Sequence, residues 1–488
     1  MKAAWIGLIG AAALCGCMMG PDYHRPDLPT PESYRFLPDT ASRDALDSRW
    51  WEDFGDPVLN GLVDEAITNN KDLKAALANS ERAAAVIMQT RSALFPQIDL
   101  TARTGRERMS ELDAEPLIGV PNPQNAREAS LGATWEIDLW GRIRRLTESA
   151  VADARSVEQN RRAALLSVVA NVVTQYVNLL ALDEQLRIAQ NTSDNYRESL
   201  RIIELQFKYG VTSQMTVAQA ASQYETAQSQ IPQIQNNITQ TENAISILLG
   251  RNPGPIARGS TLTQLNTPVV PADLPSNLLL RRPDILSAEQ DLVAANAMIG
   301  ATRAMYFPTI SLTGAFGSSS ESLHNLWKGP AKTWSFAGAV SLPIFRGGSI
   351  YSQVKQAEAS QRAALAQYEA AVQSAFADVD NSLSRRERVN EQLEKETRLV
   401  NQLKDYSRLA KLQYDEGYSA YSVVLQADQS LFPRQLTLAQ IRAASLTSVV
   451  DLYKALGGGW VDLADRQTPQ TAQDDFFFPS VKNERTDP

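Results

Sequence analysis

Apolar and polar positions alternate in four stretches of this chain. Ile98, Leu100 and Ala102 stand against Asp99, Thr101 and Arg103. Ala129, Leu131, Ala133, Trp135 and Ile137 stand against Ser130, Gly132, Thr134, Glu136 and Asp138. Ile310, Leu312, Gly314 and Phe316 oppose Ser311, Thr313, Ala315 and Gly317. Trp334, Phe336, Gly338, Val340 and Leu342 oppose Ser335, Ala337, Ala339 and Ser341. A period of two predicts strands with one apolar and one polar face. About ten residues is also what a tilted strand needs to cross a bilayer. Trp135, Trp140, Trp327 and Trp334 stand near segment ends, where interfacial aromatic girdles sit. Each segment alone suits a soluble hairpin equally well; four of matching length in one chain favour a membrane sheet. Four strands cannot close a barrel, since membrane barrels use about eight or more and lipid does not tolerate an open edge. Two chains would supply eight strands and three would supply twelve, so a shared barrel is expected.

Elsewhere the period lengthens. Leu165, Val172, Leu179, Leu186, Ser193, Leu200 and Phe207 recur every seventh residue, beside a second row of Val168, Gln175, Leu182, Ala189, Tyr196 and Ile203. Two such rows predict coiled-coil packing. The rows lie in a 68-residue stretch without Gly or Pro, Arg142 to Tyr209, and Ser349 to Glu416 is a second stretch of 68 residues. A helix of that length spans roughly 100 Å. Moving the first row on by 207 positions gives Val372, Val379, Arg386, Leu393, Val400, Ser407 and Tyr414, with polar intrusions at Arg386 and Ser407. Tyr209-Gly210-Val211-Thr212-Ser213 and Glu416-Gly417-Tyr418-Ser419 follow. There Gly suits a left-handed helix end, and Ser or Thr the next N-cap. Return helices are expected to run to about Leu249 and Leu456, kinked at Pro232 and Pro433.

The chain is therefore written twice. Leu94-Phe95-Pro96-Gln97-Ile98 returns as Tyr306-Phe307-Pro308-Thr309-Ile310, with Arg91 and Arg303 four positions before each Phe-Pro. Before the first copy, Trp50-Trp51 opens ordered structure, and Asp56-Pro57 starts a helix expected to reach about Ser92. The expected division is residues 1–16 as a signal peptide, 17–49 as a lipidated tether, 50–250 as repeat one, 251–276 as a linker, 277–457 as repeat two, and 458–488 as a C-terminal segment. The stretch Met18 to Asp47 is Pro-rich and polar and reads as an extended tether. Phe476-Phe477-Phe478 stands out in a polar, acidic tail and has no account in this scheme.

Lys2 followed by the apolar run Ala3 to Leu14 reads as a secretory signal. Leu14-Cys15-Gly16-Cys17 then fits a bacterial lipobox with acylation at Cys17; a plain signal peptide, or a Cys-x-Cys metal or redox pair, are the other readings. With the lipobox, the mature chain keeps no free thiol, and loss of Lys2 takes the formal net charge from −8 to −9. Lipid would hold one end to a membrane, while no later run reaches 18 apolar residues. No block of Lys and Arg points to nucleic acid.

Catalytic chemistry is not legible. The two histidines, His24 and His324, have no partners at metal-ligand spacing. No nucleophile elbow, phosphate loop or dinucleotide fingerprint occurs. No enzyme, cofactor or metal site is expected.

Several short runs together carry a resemblance. They are the lipobox, Gly20-Pro21-Asp22-Tyr23, Trp50-Trp51 with Asp56-Pro57, Asp138-Leu139-Trp140-Gly141, Arg282-Pro283-Asp284, the two Phe-Pro repeats, Pro343-Ile344-Phe345 with Gly347-Gly348, and Ala455-Leu456-Gly457-Gly458-Gly459-Trp460. Over nearly its whole mature length the chain resembles outer-membrane channels of tripartite efflux systems, of the TolC and OprM type. The resemblance implies an α+β membrane protein: a homotrimer with a 12-stranded β-barrel above a periplasmic α-helical barrel. It implies a periplasmic adaptor, and through it an inner-membrane pump, as partners. It places adaptor contact at the tips, Tyr209, Gly210, Glu416 and Gly417, and the gate just beyond the second turn, at Ser422, Leu425, Gln426, Asp428 and Gln429. Where that family often reads Leu-Asp-Ala, this chain reads Leu425-Gln426-Ala427-Asp428. Asp428 lies about 200° round the helix from Gln426, so a charged gate ring does not carry over. The implied function is a passive, gated duct exporting drugs or small molecules. A protein-exporting type I secretion channel and a pore-less coiled-coil lipoprotein are the other readings.

Overall fold

The computed structural model describes residues 18–31, 33–36, 49–110, 112, 122–268 and 275–458. The lipidation expected at Cys17, the signal peptide, much of the linker and the Phe476–Phe478 tail lie outside them. Eight α-helices are described: α1 (Pro57–Asn69), α2 (Lys71–Ser92), α3 (Arg142–Lys208), α4 (Gln214–Leu248), α5 (Pro275–Arg281), α6 (Pro283–Ala304), α7 (Ser349–Asp415) and α8 (Tyr421–Ala455). Four strands join them: β1 (Gln97–Glu107), β2 (Gln124–Ile137), β3 (Thr309–Ser320) and β4 (Lys332–Ser341). The long helices duplicate residue for residue: α3 and α7 have 67 residues each, α4 and α8 have 35 each. Both return helices run on through Pro232 and Pro433.

The described residues fall into two compact units. One gathers the chain up to Asp27, Ser80–Val157 and Ser287–Glu369; the other gathers Leu28–Asn79, Glu158–Leu286 and the chain from Ala370 on.

The first unit carries the sheet. Its strands pair in the order β1-β2-β3-β4, every pair antiparallel. Residues 18–25 are bonded to this unit rather than lying loosely over it. The Met19 amide donates to the Trp140 carbonyl at 3.1 Å. The Arg145 guanidinium donates to the Met19 carbonyl at 3.0 Å and to the Asp22 carboxylate at 2.7 Å, while only 3% of its side chain is exposed. Gly20 packs backbone to backbone on Gly300, where a Cβ would stand 2.4 Å from the Gly300 Cα. Arg25 and Tyr23 both reach Glu289. The Pro-rich composition announced an extended segment but not these partners.

The second unit holds the larger core. Leu165, Val172 and Leu179 of the first heptad row are fully buried, as are Ala189 and Ile203 of the second. Trp50, Trp51 and Phe54 are buried in a short 3-10 turn, with Trp50 stacked on Tyr453 at 4.9 Å. Asp56 caps α1 by accepting from the Val58 and Leu59 amides, and its other oxygen accepts from the Tyr176 hydroxyl at 2.8 Å. Pro57 stands at the first helical turn as its fixed φ allows.

The helix expected from Pro57 to Ser92 is instead two, broken at Asn70. Asn70 Oδ1 accepts from the Leu73 amide at 3.0 Å, an N-cap for α2, and Nδ2 donates to the Leu248 carbonyl at 2.7 Å. Asn competes with the helix for backbone groups and favours caps. The second copy solves the same problem differently. Arg282, between α5 and α6, donates to the Ala455 carbonyl at 3.1 Å and pairs with Asp284 and Asp378. In both copies a side chain at the helix break thus satisfies a terminal carbonyl of the return helix, one of the groups a helix leaves unpaired.

Gly250 closes α4 at φ +73, and a Cβ there would lie 2.2 Å from the Asn69 carbonyl oxygen. Gly210 has φ +76 with no atom within 4 Å of a Cβ. Gly210→Ala should therefore cost about 1–2 kcal/mol of backbone strain, whereas Gly250→Ala adds a backbone collision to the same strain. Thermal unfolding followed by circular dichroism should show the Gly250 variant melting well below the Gly210 variant; equal melting temperatures would contradict the close approach.

Candidate functional site

The sheet register puts the apolar rows of all four strands on one face. Leu100 pairs with Leu131, Leu131 with Phe316, and Phe316 with Trp334. Two residues along, Ile98 meets Ala133, Ala133 meets Gly314, and Gly314 meets Phe336; Ile137 meets Ile310 and Ile310 meets Val340. Side chains alternate across a strand, so the opposite face carries Asp99, Thr101, Arg103, Ser130, Thr134, Glu136, Ser311, Thr313, Ser335 and Ser341. Large side chains of the apolar face stand open, with Phe336 80% and Trp334 71% exposed. An exposed apolar surface of this extent marks contact with protein or lipid.

The strands enter the helices through an aromatic level. Trp140 stacks on Phe307 at 4.7 Å and donates from its indole nitrogen to the Pro308 carbonyl at 2.8 Å. Trp135 donates to the Leu94 carbonyl at 2.9 Å. Asp138 accepts from the Ile143 and Arg144 amides and so caps the start of α3.

At the far ends of the long helices the two hairpin turns are built alike. The Gly210 amide bonds the Phe207 carbonyl and the Val211 amide bonds the Gln206 carbonyl; Gly417 and Tyr418 do the same to Tyr414 and Gln413. This is the Schellman pattern, with glycine in the left-handed position. Tyr209 is 76% and Tyr418 86% exposed, and Glu416 is exposed as well. Ser213 caps α4 through the Thr216 amide, but the matching position before α8 is Ala420, which offers no side-chain cap. Ser419, where the sequence offered a cap, makes no hydrogen bond through its hydroxyl.

Beyond the second turn, Ser422, Gln426 and Gln429 lie exposed at one-turn spacing on a single face of α8, and Leu425 is half-buried beside them. Asp428 points elsewhere. Its carboxylate accepts from the Ser407 hydroxyl of α7 at 2.6 Å, in a cleft of about 450 Å³ that Tyr196, Lys411, Tyr414 and Tyr421 also line. Burial raises the pKa of Asp428, against the pull of the Ser407 hydrogen bond and of Lys411. Burial, with Asp428 adding to it, pushes Tyr421 up to about 12. Tyr414 of α7 donates to Gln206 of α3 at 2.9 Å, tying the two hairpins near their tips.

The duplication supplies a counterpart to Gln426. Counting back 207 positions from Gln426 gives Gln219 on α4, followed by Ala220, which is buried like Ala427. The repeat offset carried that signal.

A family model described as outer membrane efflux protein matches residues 62–251 and 274–458, and the chain belongs to that family. It is 35% identical over 472 residues to the probable efflux pump outer membrane protein TtgC of Pseudomonas putida, covering 95% of this chain and 97% of that one. It is 33% identical to the probable outer membrane lipoprotein SilC of Salmonella typhimurium, covering 92% and 97%. Its fold is similar to the Campylobacter jejuni CmeC outer membrane channel, with a TM-score of 0.85 at 27% identity over 94% of this chain and 99% of that one. The protein is accordingly an outer-membrane channel component of an efflux pump, and the family is one of transport channels rather than enzymes.

Asp428 has a pKa raised by folding, so its contribution to stability is fullest below about pH 4, where the unfolded group is also protonated. That contribution is lost as pH rises through the folded-state value. Asp428→Asn keeps a hydrogen-bonding oxygen for Ser407 without a titratable group in the half-buried site. It should flatten the fall in stability that sets in as pH rises above about 4, the ordinary carboxylate range. A melting curve with unchanged pH dependence would show that Asp428 is not the buried acid responsible.

Proposed function

We propose that three copies of this chain share one 12-stranded barrel through the outer membrane, continuous with a hollow helical tunnel in the periplasm. The observation that carries this reading is the register: four strands present one continuous apolar face and one polar face, while β1 and β4 have no further strand partner among the described residues. Backbone groups at a lipid-exposed edge have no water to satisfy them. The strands alternate in direction, so β4 of one copy can pair antiparallel with β1 of the next without a break in the pattern. The apolar face then meets lipid and the polar face lines a water-filled lumen. Acylated Cys17, directly before the clasped Met18, would add an anchor beside the aromatic level. The division into signal, tether, two repeats, linker and tail belongs to the same reading.

The duct moves drugs or small molecules without consuming energy itself, since conduction favours weak contacts. A periplasmic adaptor engages the exposed turns at Tyr209-Gly210 and Glu416-Gly417 and couples the channel to an inner-membrane pump. The resting gate is uncharged: Gln426 with Ser422 and Gln429 forms the constriction, with Leu425 and Gln219 beside it. Asp428 serves as an internal tie to Ser407 rather than as a pore charge.

In planar bilayers the purified protein should conduct ions with a small resting conductance. Gln426→Ala, and more so Gln219→Ala with Gln426→Ala, should raise that conductance several-fold, while Asp428→Asn should alter ion selectivity little. Unchanged conductance in the double variant would remove the glutamine gate, and a protein that never conducts would leave the pore-less lipoprotein reading in its place.

A further inference from the structure

Charge is distributed unevenly over the apolar face of the sheet. On the opposite face Asp99, Arg103, Glu107, Glu128 and Glu136 mix both signs along the strands. On the apolar face the charged residues are Arg106, Arg127 and Lys332, all cations. They stand in the last three rows at the end of the sheet away from the helices. Lys332 shares a row with Ser318, Ala129 and Ala102; Arg127 shares the next with Thr104 and Ser320; Arg106 faces Asn125 in the last. Arg106 and Arg127 are diagonal neighbours, about 7–8 Å apart, and Lys332 lies roughly 12 Å from Arg127, two strands and one row away.

None of the three has an acidic partner among the described residues. Arg127 donates to the backbone carbonyl of Glu321 at 2.5 Å, which holds its guanidinium at the rim. Immediately inward stand Trp334 and Phe336, stacked at 5.7 Å, with Phe316 alongside Trp334 in the register. An aromatic band capped by cations that have no acidic partner among the described residues, on the face turned to lipid, matches the boundary between acyl chains and anionic headgroups. Arg forks suit phosphate oxygens in particular.

We propose that Arg106, Arg127 and Lys332 form a binding site for the phosphate groups of outer-leaflet lipid, which in this membrane means the phosphorylated glucosamine headgroup of lipid A. The proposal rests on the reading above that the apolar face meets lipid and the helices stand in the periplasm, which turns the opposite end of the sheet outward. The site fixes the height of the barrel in the membrane and holds a ring of ordered lipid round it, one site per copy.

The test is equilibrium binding of lipid A to the purified full-length protein, read by native mass spectrometry and by quenching of tryptophan emission. Bis-phosphorylated lipid A is compared with its dephosphorylated form, and inorganic phosphate is offered as competitor. The parent should prefer the phosphorylated lipid, and free phosphate at equal phosphate concentration should not displace it. The triple variant Arg106→Gln, Arg127→Gln, Lys332→Gln should bind about 100-fold more weakly, on the scale expected for three interfacial cations. Arg103→Gln, on the polar face, should bind like the parent. Equal binding of phosphorylated and dephosphorylated lipid by the parent overturns the proposal without requiring any variant to fold, as does full displacement by inorganic phosphate. Insertion into vesicles, read by the blue shift of tryptophan emission, separates the two claims. A parent that inserts but shows no phosphate preference defeats only the lipid site, whereas a parent that fails to insert defeats the membrane reading and this proposal with it.

Discussion

A backbone amide or carbonyl in hydrocarbon must find a partner within protein, because water is not there to supply one. That constraint governs everything else in this chain. Four strands expose apolar side chains along one face, so lipid suits them, but four strands leave two edges. The described strands of one chain leave this conflict open, and the proposed shared barrel would resolve it at both edges at once. In the proposed barrel the mixed polar side chains of the opposite face acquire a reason, because that face would enclose water.

The helices extend the same logic by duplication. Copies of 67 and 35 residues at a fixed offset of 207 give each chain two near-identical hairpins. The copies diverge where local chemistry matters. Asn70 and Arg282 do the same capping task with different side chains, the second recruiting Asp284 and Asp378 as well. Ser213 caps one return helix where Ala420 leaves the other uncapped. At the turn-proximal part of the return helices, Ala221 in the first copy becomes Asp428 in the second, whose carboxylate ties α8 to Ser407 of α7. The two hairpins therefore differ in side-chain chemistry close to their turns while sharing one backbone plan.

Much of the fold was legible because it rests on periodicity. Rows at spacing two became β1 to β4, and rows at spacing seven became faces of α3 and α7 that are buried or half-buried except at Phe207 beside the turn. The paired glycines became paired Schellman turns. Periodicity carries no signal where a single side chain decides the outcome. Nothing in the hydrophobic pattern between Pro57 and Ser92 shows that Asn70 will spend its amide on Leu248, 178 residues away. The segment 18–25 reads as tether because its composition is polar and Pro-rich, yet Arg145 and Glu289 hold it through contacts that only the fold brings together. The direction of Asp428 was accessible from helical geometry, but its bond to Ser407 was not.

The central claim is that the open edges of the sheet are closed by two further copies. Native mass spectrometry of the mature protein, extracted gently from outer membranes, tests it most directly. The account predicts a trimer whose subunit mass includes acyl chains at Cys17. A dimer would imply an eight-stranded barrel and contradict the proposed tunnel. A stable monomer that remains folded would contradict the shared barrel altogether.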